Sequence, residues 1–354
     1  MGGALAEFNE RVVDSVLSSS EPKQRCLGRL TGEDNIVTNE VSRRNFLRNS
    51  ITTAAGAAGA LTVSDLFAQS REPHMKFPTA PRERIAVTTW QFRMYMDNPT
   101  NRWRDPKLPG MALKDFPAMV AKKFGLHNVE LLSYHFPSTD AAYLRELRAA
   151  VEKAGSHIIN LPVDGRASVY DPSEAKRKEA IDFGKKWIDI AIAVGSPSIR
   201  LHVAGAKGIA PDAGRAAESL KQVAAYGAQR NVMVTLENDD LETEDAFFLV
   251  RVIDQVGNPY LRSLPDFANS MLTGNADFNY DALALMFRHA YNIAHMKDSE
   301  VGDHNKLYTV DVGRIFKIAE AARYRGYYSL EWEGREEPYE GTSRLLEETL
   351  KHLS

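Results

Sequence analysis

Four side chains of types that commonly bind metal ions recur in the second half of this 354-residue sequence. Glu237 in VTLEN, Asp266 in LPDFAN, His295 in AHMKDS and Glu331 in SLEWEG are separated by 29, 29 and 36 residues. Each follows or ends a short apolar run, and each interval corresponds to one strand-helix unit of roughly 30 residues or more. The spacing therefore predicts that all four lie at equivalent heights near the ends of successive strands.

Three buried carboxylates around one histidine would repel each other and lose much of their hydration unless a positive charge lay between them. A divalent cation is the simplest candidate. Oxygen ligands with one imidazole suit manganese, magnesium, cobalt or zinc, with manganese preferred. The alternative is that the carboxylates form salt bridges at the same place, for which the candidate partners are Lys297, Arg200 and Arg262.

Short apolar runs alternate with longer amphipathic stretches from residue 84 onward. Repeated strand-helix units imply parallel strands joined by right-handed crossovers. Residues 84–354 are close to the usual size of a (β/α)8 barrel, about 250 residues. We therefore predict an α/β fold, a (β/α)8 TIM barrel preceded by an N-terminal signal or unstructured segment. The predicted strands are 84–90, 128–133, 157–162, 198–203, 231–238, 262–267, 292–297 and 327–332.

The alternative architecture is a doubly wound open sheet. That fold needs a glycine-rich phosphate turn after its first strand, and TTWQFRMYMDNP contains no glycine. The barrel is preferred, and its active site would lie at the carboxyl ends of the strands. Several predicted helices end at a glycine before the next strand, which indicates left-handed C-terminal caps at Gly125, Gly155, Gly195 and Gly326.

The first seventy or so residues differ in composition from the remainder. SRRNFLRNS, with paired Arg43 and Arg44, precedes the small-residue run ITTAAGAAGALTVSDLFAQS. This order is typical of a twin-arginine signal, so residues 42–70 predict export to the periplasm through the twin-arginine machinery without stable membrane insertion. An amphipathic helix with two incidental arginines is the alternative. Residues 1–41 are a leader of uncertain status, 71–83 a linker and 84–354 the catalytic barrel.

Composition excludes several partners and chemistries. The formal net charge of -3 gives no general attraction to nucleic acid. The single cysteine, Cys26, lies before the predicted signal, so the barrel has no thiolate ligand or nucleophile. Any metal must be bound by histidine, aspartate and glutamate. The oligomeric state stays open.

Five runs of the sequence form a recognisable pattern: HMKDS, VDVGRIFKIAEAARYRGYYSLEWEG, VTLEN, PDFAN and VELL. This pattern resembles the xylose isomerase-like barrels of the sugar phosphate isomerase/epimerase superfamily. The resemblance covers residues 84–354 and is most specific in the last four units. It implies that Glu237, Asp266, His295 and Glu331 bind one divalent metal ion, with Glu237 and Glu331 as catalytic acid and base. Asn269 departs from the pattern, because ketose epimerases commonly have histidine there.

The expected reaction is sugar isomerisation or epimerisation, by proton abstraction next to a carbonyl through a metal-stabilised enediolate. The expected substrate is a small sugar or keto-sugar, contacted by Trp90, His202, Asn269 and Lys297. Glu130 is a weaker candidate, as a barrel-floor partner of Arg200. Three alternatives stay open: a metal-dependent lyase or dehydratase on a keto-sugar or inosose, a phosphodiesterase like the AP endonucleases, and a non-catalytic sugar-binding barrel.

Overall fold

Eight parallel strands, each followed by a helix, form the framework of the computed structural model, which describes residues 72–334 and 337–353. The predicted leader (1–41) and export signal (42–70) lie outside these residues. The (β/α)8 prediction is confirmed. The barrel strands are β1 (Ile85–Thr88), β2 (Asn128–Glu130), β3 (His157–Val163), β4 (Ser198–Leu201), β5 (Met233–Glu237), β6 (Leu261–Leu264), β7 (Ile293–Met296) and β10 (Tyr327–Leu330).

The strands follow the sheet order β6-β5-β4-β3-β2-β1-β10-β7, with every neighbouring pair parallel. Two isolated parallel bridges, Ser263 to Ala290 and Asp266 to His295, join β6 to β7. These bridges nearly close the sheet into a barrel. Because all strands run the same way, their carboxyl ends meet at one end of the barrel.

Among the described residues, eight α-helices cover the outside of the barrel. Several begin at an aspartate or asparagine whose side chain accepts from backbone N–H groups, as Asp245 and Asn275 do. Three of the four predicted C-terminal caps, Gly125, Gly155 and Gly195, adopt the left-handed conformation. The helices are α1 (Phe116–Phe124), α2 (Ala141–Lys153), α3 (Glu174–Val194), α4 (Ala213–Arg230), α5 (Ala246–Val256), α6 (Ala276–Phe287), α7 (Val312–Ala321) and α8 (Pro338–Leu353).

The interior of the barrel carries a chain of polar side chains. Asn292 Nδ2 donates to Ser198 Oγ at 2.8 Å, Ser198 Oγ donates to Asn160 Oδ1 at 2.6 Å, and Asn160 Nδ2 donates to Glu130 Oε1 at 2.7 Å. All four side chains are buried. The apolar core lies instead mainly between the strands and the helices. The polar chain connects the amino end of the lumen to the end where the predicted ligands lie.

The predicted strands are wrong in detail: seven of the eight extend beyond the observed strand, and one hairpin was missed. The first strand ends at Thr88, and Trp90 begins a 3-10 turn, Trp90–Phe92, because the chain bends there into the long loop after β1. An antiparallel hairpin, β8 (Ser299–Gly302) and β9 (Lys306–Thr309), follows β7 and was not predicted. Its second strand is largely exposed, so it lacks the apolar pattern that marks a buried strand.

Residues 72–83 of the predicted linker lie at the amino end of the barrel. Phe77 packs edge to face on Tyr291 and Tyr327, with ring centroids 5.4 and 5.9 Å apart. The Tyr291 hydroxyl donates to the carbonyl of Pro73 at 2.6 Å. This segment therefore covers the end opposite the predicted site. Within the described part of the chain, no helix is long and apolar enough to cross a membrane.

Gly326 serves close packing rather than the left-handed cap that the sequence predicted. Its φ is not positive, and a Cβ there would lie 2.6 Å from the backbone C and O of Asn292.

Gly326→Ala should lower the free energy of unfolding by about 1–3 kcal/mol through overpacking. Urea unfolding measures it. The control Gly214→Ala, in α4, meets only an ordinary 3.4 Å contact and should be neutral or stabilising; equal stability of both variants would contradict the packing argument.

Candidate metal centre

Four buried side chains converge at the carboxyl end of the barrel, and we call them the quartet. Glu237 is the last residue of β5, Asp266 lies two residues beyond β6, His295 is in β7, and Glu331 directly follows β10. One ligand atom from each lies within 4.8 Å of the others, and no member is more than 8% exposed. The structure thus brings together all four residues that were expected to bind a metal.

His295 lies at the centre of the quartet. Its Nδ1 is 2.6 Å from Glu237 Oε1, 3.3 Å from Glu331 Oε2 and 3.8 Å from Asp266 Oδ2. Burial lowers the pKa of His295, but the carboxylates around it, with Glu130 foremost, outweigh burial and raise the pKa well above its ordinary value. Nδ1 is the ring nitrogen placed to share an ion with the three carboxylates.

Glu130 orients this histidine from the other side. Glu130 ends β2, is wholly buried, and lies with Oε2 3.0 Å from His295 Nε2. Ser329 Oγ also donates to Glu130 Oε2, at 2.7 Å. Burial raises the pKa of Glu130, but His295 and the hydrogen bonds outweigh it, so the net shift is downward. With Glu130 on Nε2, Nδ1 faces the other three carboxylates, and a carboxylate on the far ring nitrogen of a histidine ligand is common in metal sites. The expected pairing of Glu130 with Arg200 is wrong.

Two buried basic side chains flank the quartet. Arg200 Nε lies 2.7 Å from Glu237 Oε2, and Lys297 Nζ lies 3.0 Å from Glu331 Oε1 and 3.3 Å from Asp266 Oδ2. Two of the three candidate partners, Arg200 and Lys297, therefore form salt bridges with the carboxylates, as the alternative to a metal site predicted. The third, Arg262, is instead 3.8 Å from Glu72.

The basic side chains do not satisfy every ligand atom. Glu237 Oε2 and Asp266 Oδ2 are buried and have no hydrogen-bond donor of suitable geometry among the described residues. Burial raises the pKa of Asp266 to about 7. Lys297 opposes this upward shift, and Glu237 and Glu331 add to it. Carboxylate oxygens without well-aligned hydrogen bonds, facing His295 Nδ1, fit a divalent cation, which binds such oxygen and nitrogen ligands.

Two of the four residues expected to contact substrate adjoin the quartet directly. Lys297 makes the contacts described above and donates to Asn269 Oδ1 at 2.9 Å. The backbone N–H of Asn269 donates to Asp266 Oδ1 at 2.8 Å. Asn269 thus hydrogen-bonds with both a candidate ligand, Asp266, and the neighbouring lysine. A histidine at position 269 would contact these two residues differently.

The other two, Trp90 and His202, lie around the barrel mouth. Trp90 Nε1 donates to Glu333, two residues after Glu331, and the Trp90 ring meets Trp103 edge to face at 5.2 Å. His202 directly follows β4, and its Nδ1 is 2.8 Å from Glu244 Oε2. Burial lowers the pKa of His202, but Glu244 outweighs it and raises the pKa to about 9.

Sequence reasoning missed two buried acids near the site. Glu244 lies in the turn before α5, outside any strand, so no strand-end position marks it. Glu300 lies in the unpredicted hairpin, and its Oε2 is 2.8 Å from Lys297 Nζ. The role of Glu130 also escaped prediction, although its position at the end of β2 was a usable signal.

A family model described as the xylose isomerase-like TIM barrel matches residues 119–353. The match spans more than half of the chain, and the protein belongs to this family. The comparison with curated proteins found no match.

Solved structures of this fold resemble the chain at low sequence identity. D-allulose 3-epimerase from Methylomonas sp. is 15% identical, with a TM-score of 0.59 over 78% of this chain and 100% of that one. A xylose isomerase-like barrel from Mycobacterium smegmatis in complex with magnesium is 16% identical, with a TM-score of 0.56 over 77% and 98%. 3-Keto-D-glucoside 4-epimerase from E. coli is 15% identical, with a TM-score of 0.55 over 75% and 98%. At these identities the likeness shows the fold.

Glu130→Gln should weaken metal binding by about 10- to 100-fold, because the amide cannot orient and charge His295 as the carboxylate does. Isothermal titration with Mn²⁺ measures the dissociation constant. The control Glu152→Gln changes an exposed carboxylate on α2 and should bind as the unaltered protein does. Equal affinity for both variants would remove Glu130 from the metal centre.

Metal affinity should rise with pH through about 7. Asp266, whose pKa is raised to about 7, is protonated below that pH, and a protonated carboxyl does not bind the ion. The raised pKa of His295 adds a second competing proton. Titrations at pH 6 and pH 8, each in buffers of different ionisation enthalpy, should show weaker binding at pH 6 and net proton release on binding. Unchanged affinity without proton release would contradict this linkage.

Proposed function

We propose that the protein is a divalent-metal-dependent sugar isomerase or epimerase that moves a proton on the carbon next to a carbonyl. The observation that carries this proposal is the convergence of two carboxylates, Glu237 and Glu331, on one imidazole in a buried site. Membership of the xylose isomerase-like family supports it. Epimerase names among the similar structures agree with it.

The quartet would hold the ion, and we propose manganese as its identity. When bound, a divalent ion supplies Lewis-acid stabilisation of the negative charge that builds up on the substrate oxygens. Glu237 and Glu331 come from different strands, β5 and β10, so they can act on the substrate from different directions. One would remove the proton and the other would return it, as an epimerisation or isomerisation requires.

The surrounding residues fit a sugar or keto-sugar substrate. Lys297, held between Glu331 and Asp266, places positive charge beside the atoms where negative charge develops. Trp90 and Trp103 form an aromatic pair at the mouth, of the kind that packs against the apolar face of a sugar. Asn269 and His202 can supply hydrogen bonds to sugar hydroxyls. Residues 42–70 would direct the protein to the periplasm through the twin-arginine pathway.

Proton exchange tests the proposal. Metal-loaded protein is incubated with candidate keto-sugars in deuterated water, and deuterium incorporation is followed by NMR. Incorporation at the carbon next to the carbonyl supports the proposal, and incorporation with loss of water from the product identifies a lyase instead. If no keto-sugar shows exchange, the result contradicts the proposal and favours a non-catalytic sugar-binding barrel.

Glu237→Gln and Glu331→Gln should each reduce exchange by about 100- to 10,000-fold, the usual contribution of a general acid or base. The metal content of each variant, measured beside the exchange rate, separates loss of proton transfer from loss of the ion. The control Glu340→Gln, on the exposed side of α8, should exchange at the unaltered rate. Full exchange by metal-loaded Glu237→Gln would remove Glu237 from the reaction.

A further inference from the structure

Lys297 is anchored by an acid from the hairpin that follows β7. Its Nζ donates to Glu300 Oε2 at 2.8 Å and to Asn269 Oδ1 at 2.9 Å. Its contacts with two acids of the quartet are longer, 3.0 Å to Glu331 Oε1 and 3.3 Å to Asp266 Oδ2. Lys297 is only 3% exposed, so water does little to stabilise its charge. The ammonium group is therefore shared between two acids of the quartet and one acid outside it.

The fold holds the Glu300 carboxylate in place independently of Lys297. Glu300 lies in strand β8 and is 8% exposed. Its Oε1 accepts from the backbone N–H of Val301 at 3.0 Å, and its Oε2 faces Lys297. The same strand is fixed at the barrel mouth, because Ser299 Oγ donates to the carbonyl of Glu333 at 2.8 Å. Glu300 thus offers Lys297 a buried anion at a defined position.

Glu300 becomes the main counter-charge of Lys297 once the quartet holds a dication. Asp266 and Glu331 would then share their charge with the ion, and the ion would repel the ammonium group. Glu300 is an ion-pair partner of Lys297 that does not belong to the quartet. Burial raises the pKa of Glu300 to about 8, Lys297 opposes this shift, and Glu333 and Asp266 add to it. A positive charge beside Asp266 therefore favours the ionised form of Glu300.

We propose that Glu300 is a positioning residue, which holds the Lys297 ammonium group beside the reacting oxygens of the substrate when the quartet carries its ion. This inference rests on the proposed function, in which Lys297 stabilises developing negative charge. Without the Glu300 carboxylate, Lys297 would pair more closely with Glu331, a candidate acid or base, or withdraw from the ion. In both cases the positive charge would leave the place where it stabilises the transition state.

Proton-exchange kinetics test this role, on manganese-loaded protein with the keto-sugar that exchanges fastest with the unaltered protein. Glu300→Gln should lower kcat by about 10- to 100-fold, which corresponds to one hydrogen bond to a charged group. KM and manganese content should not change, because the lost interaction acts in the transition state. Glu300→Asp keeps the negative charge and should recover part of the loss. The control Asp303→Asn changes an exposed acid in the turn of the same hairpin and should have the unaltered kcat.

Crystals of the manganese-loaded protein give a readout that does not depend on activity. We expect Lys297 Nζ to keep its hydrogen bond to Glu300 while the ion occupies the quartet, and to be displaced in Glu300→Gln. Loss of this hydrogen bond on ion binding, or an unaltered kcat in Glu300→Gln, would overturn the positioning role and leave the proposed function intact. If the unaltered protein neither binds the ion nor exchanges any keto-sugar, the proposed function fails and the role of Glu300 fails with it.

Discussion

Buried negative charge is the constraint around which the carboxyl end of this barrel is organised. Glu130, Glu237, Asp266 and Glu331 are all nearly inaccessible to water. Leaving one such charge without a partner costs about 3–5 kcal/mol, a large part of the stability of a typical domain. The protein surrounds these acids with His295, Arg200 and Lys297, each in contact with at least one of them. A bound dication would interact with the carboxylate oxygens that these basic groups leave without well-aligned hydrogen bonds.

This constraint also explains the composition of the lumen. A TIM barrel is commonly filled with branched apolar residues. Here a line of amides and a hydroxyl runs up the lumen and ends on Glu130, which in turn holds the ring of His295. The orientation of one candidate ligand is therefore set by residues from β2, β3, β4 and β10 and by Asn292 just before β7. The apolar core that supplies most of the stability lies outside this lumen, under the helices.

The sequence predicted the features whose signal repeats along the chain. It did not predict the contacts that form only when the barrel closes. Strand-helix alternation and the intervals between Glu237, Asp266, His295 and Glu331 are regular along the chain, so they predicted the fold and the convergence of the quartet. The contact between Glu130 and His295 spans 165 residues and crosses the barrel, so no spacing indicates it. The hairpin after β7 is short and half-exposed, and its strands lack a diagnostic pattern.

The hydrogen bonds across the lumen have a consequence for how the barrel can be divided. Asn292 at the amino end of β7 bonds to Ser198 in β4, and Ser329 in β10 bonds to Glu130 in β2. Each bond joins the first four strands to the last four. A half-barrel severed after β4 would present unpaired polar groups along its concave surface, so the two halves are thermodynamically interdependent. Fragment complementation or evolutionary shuffling of half-barrels would have to restore these bonds at the seam.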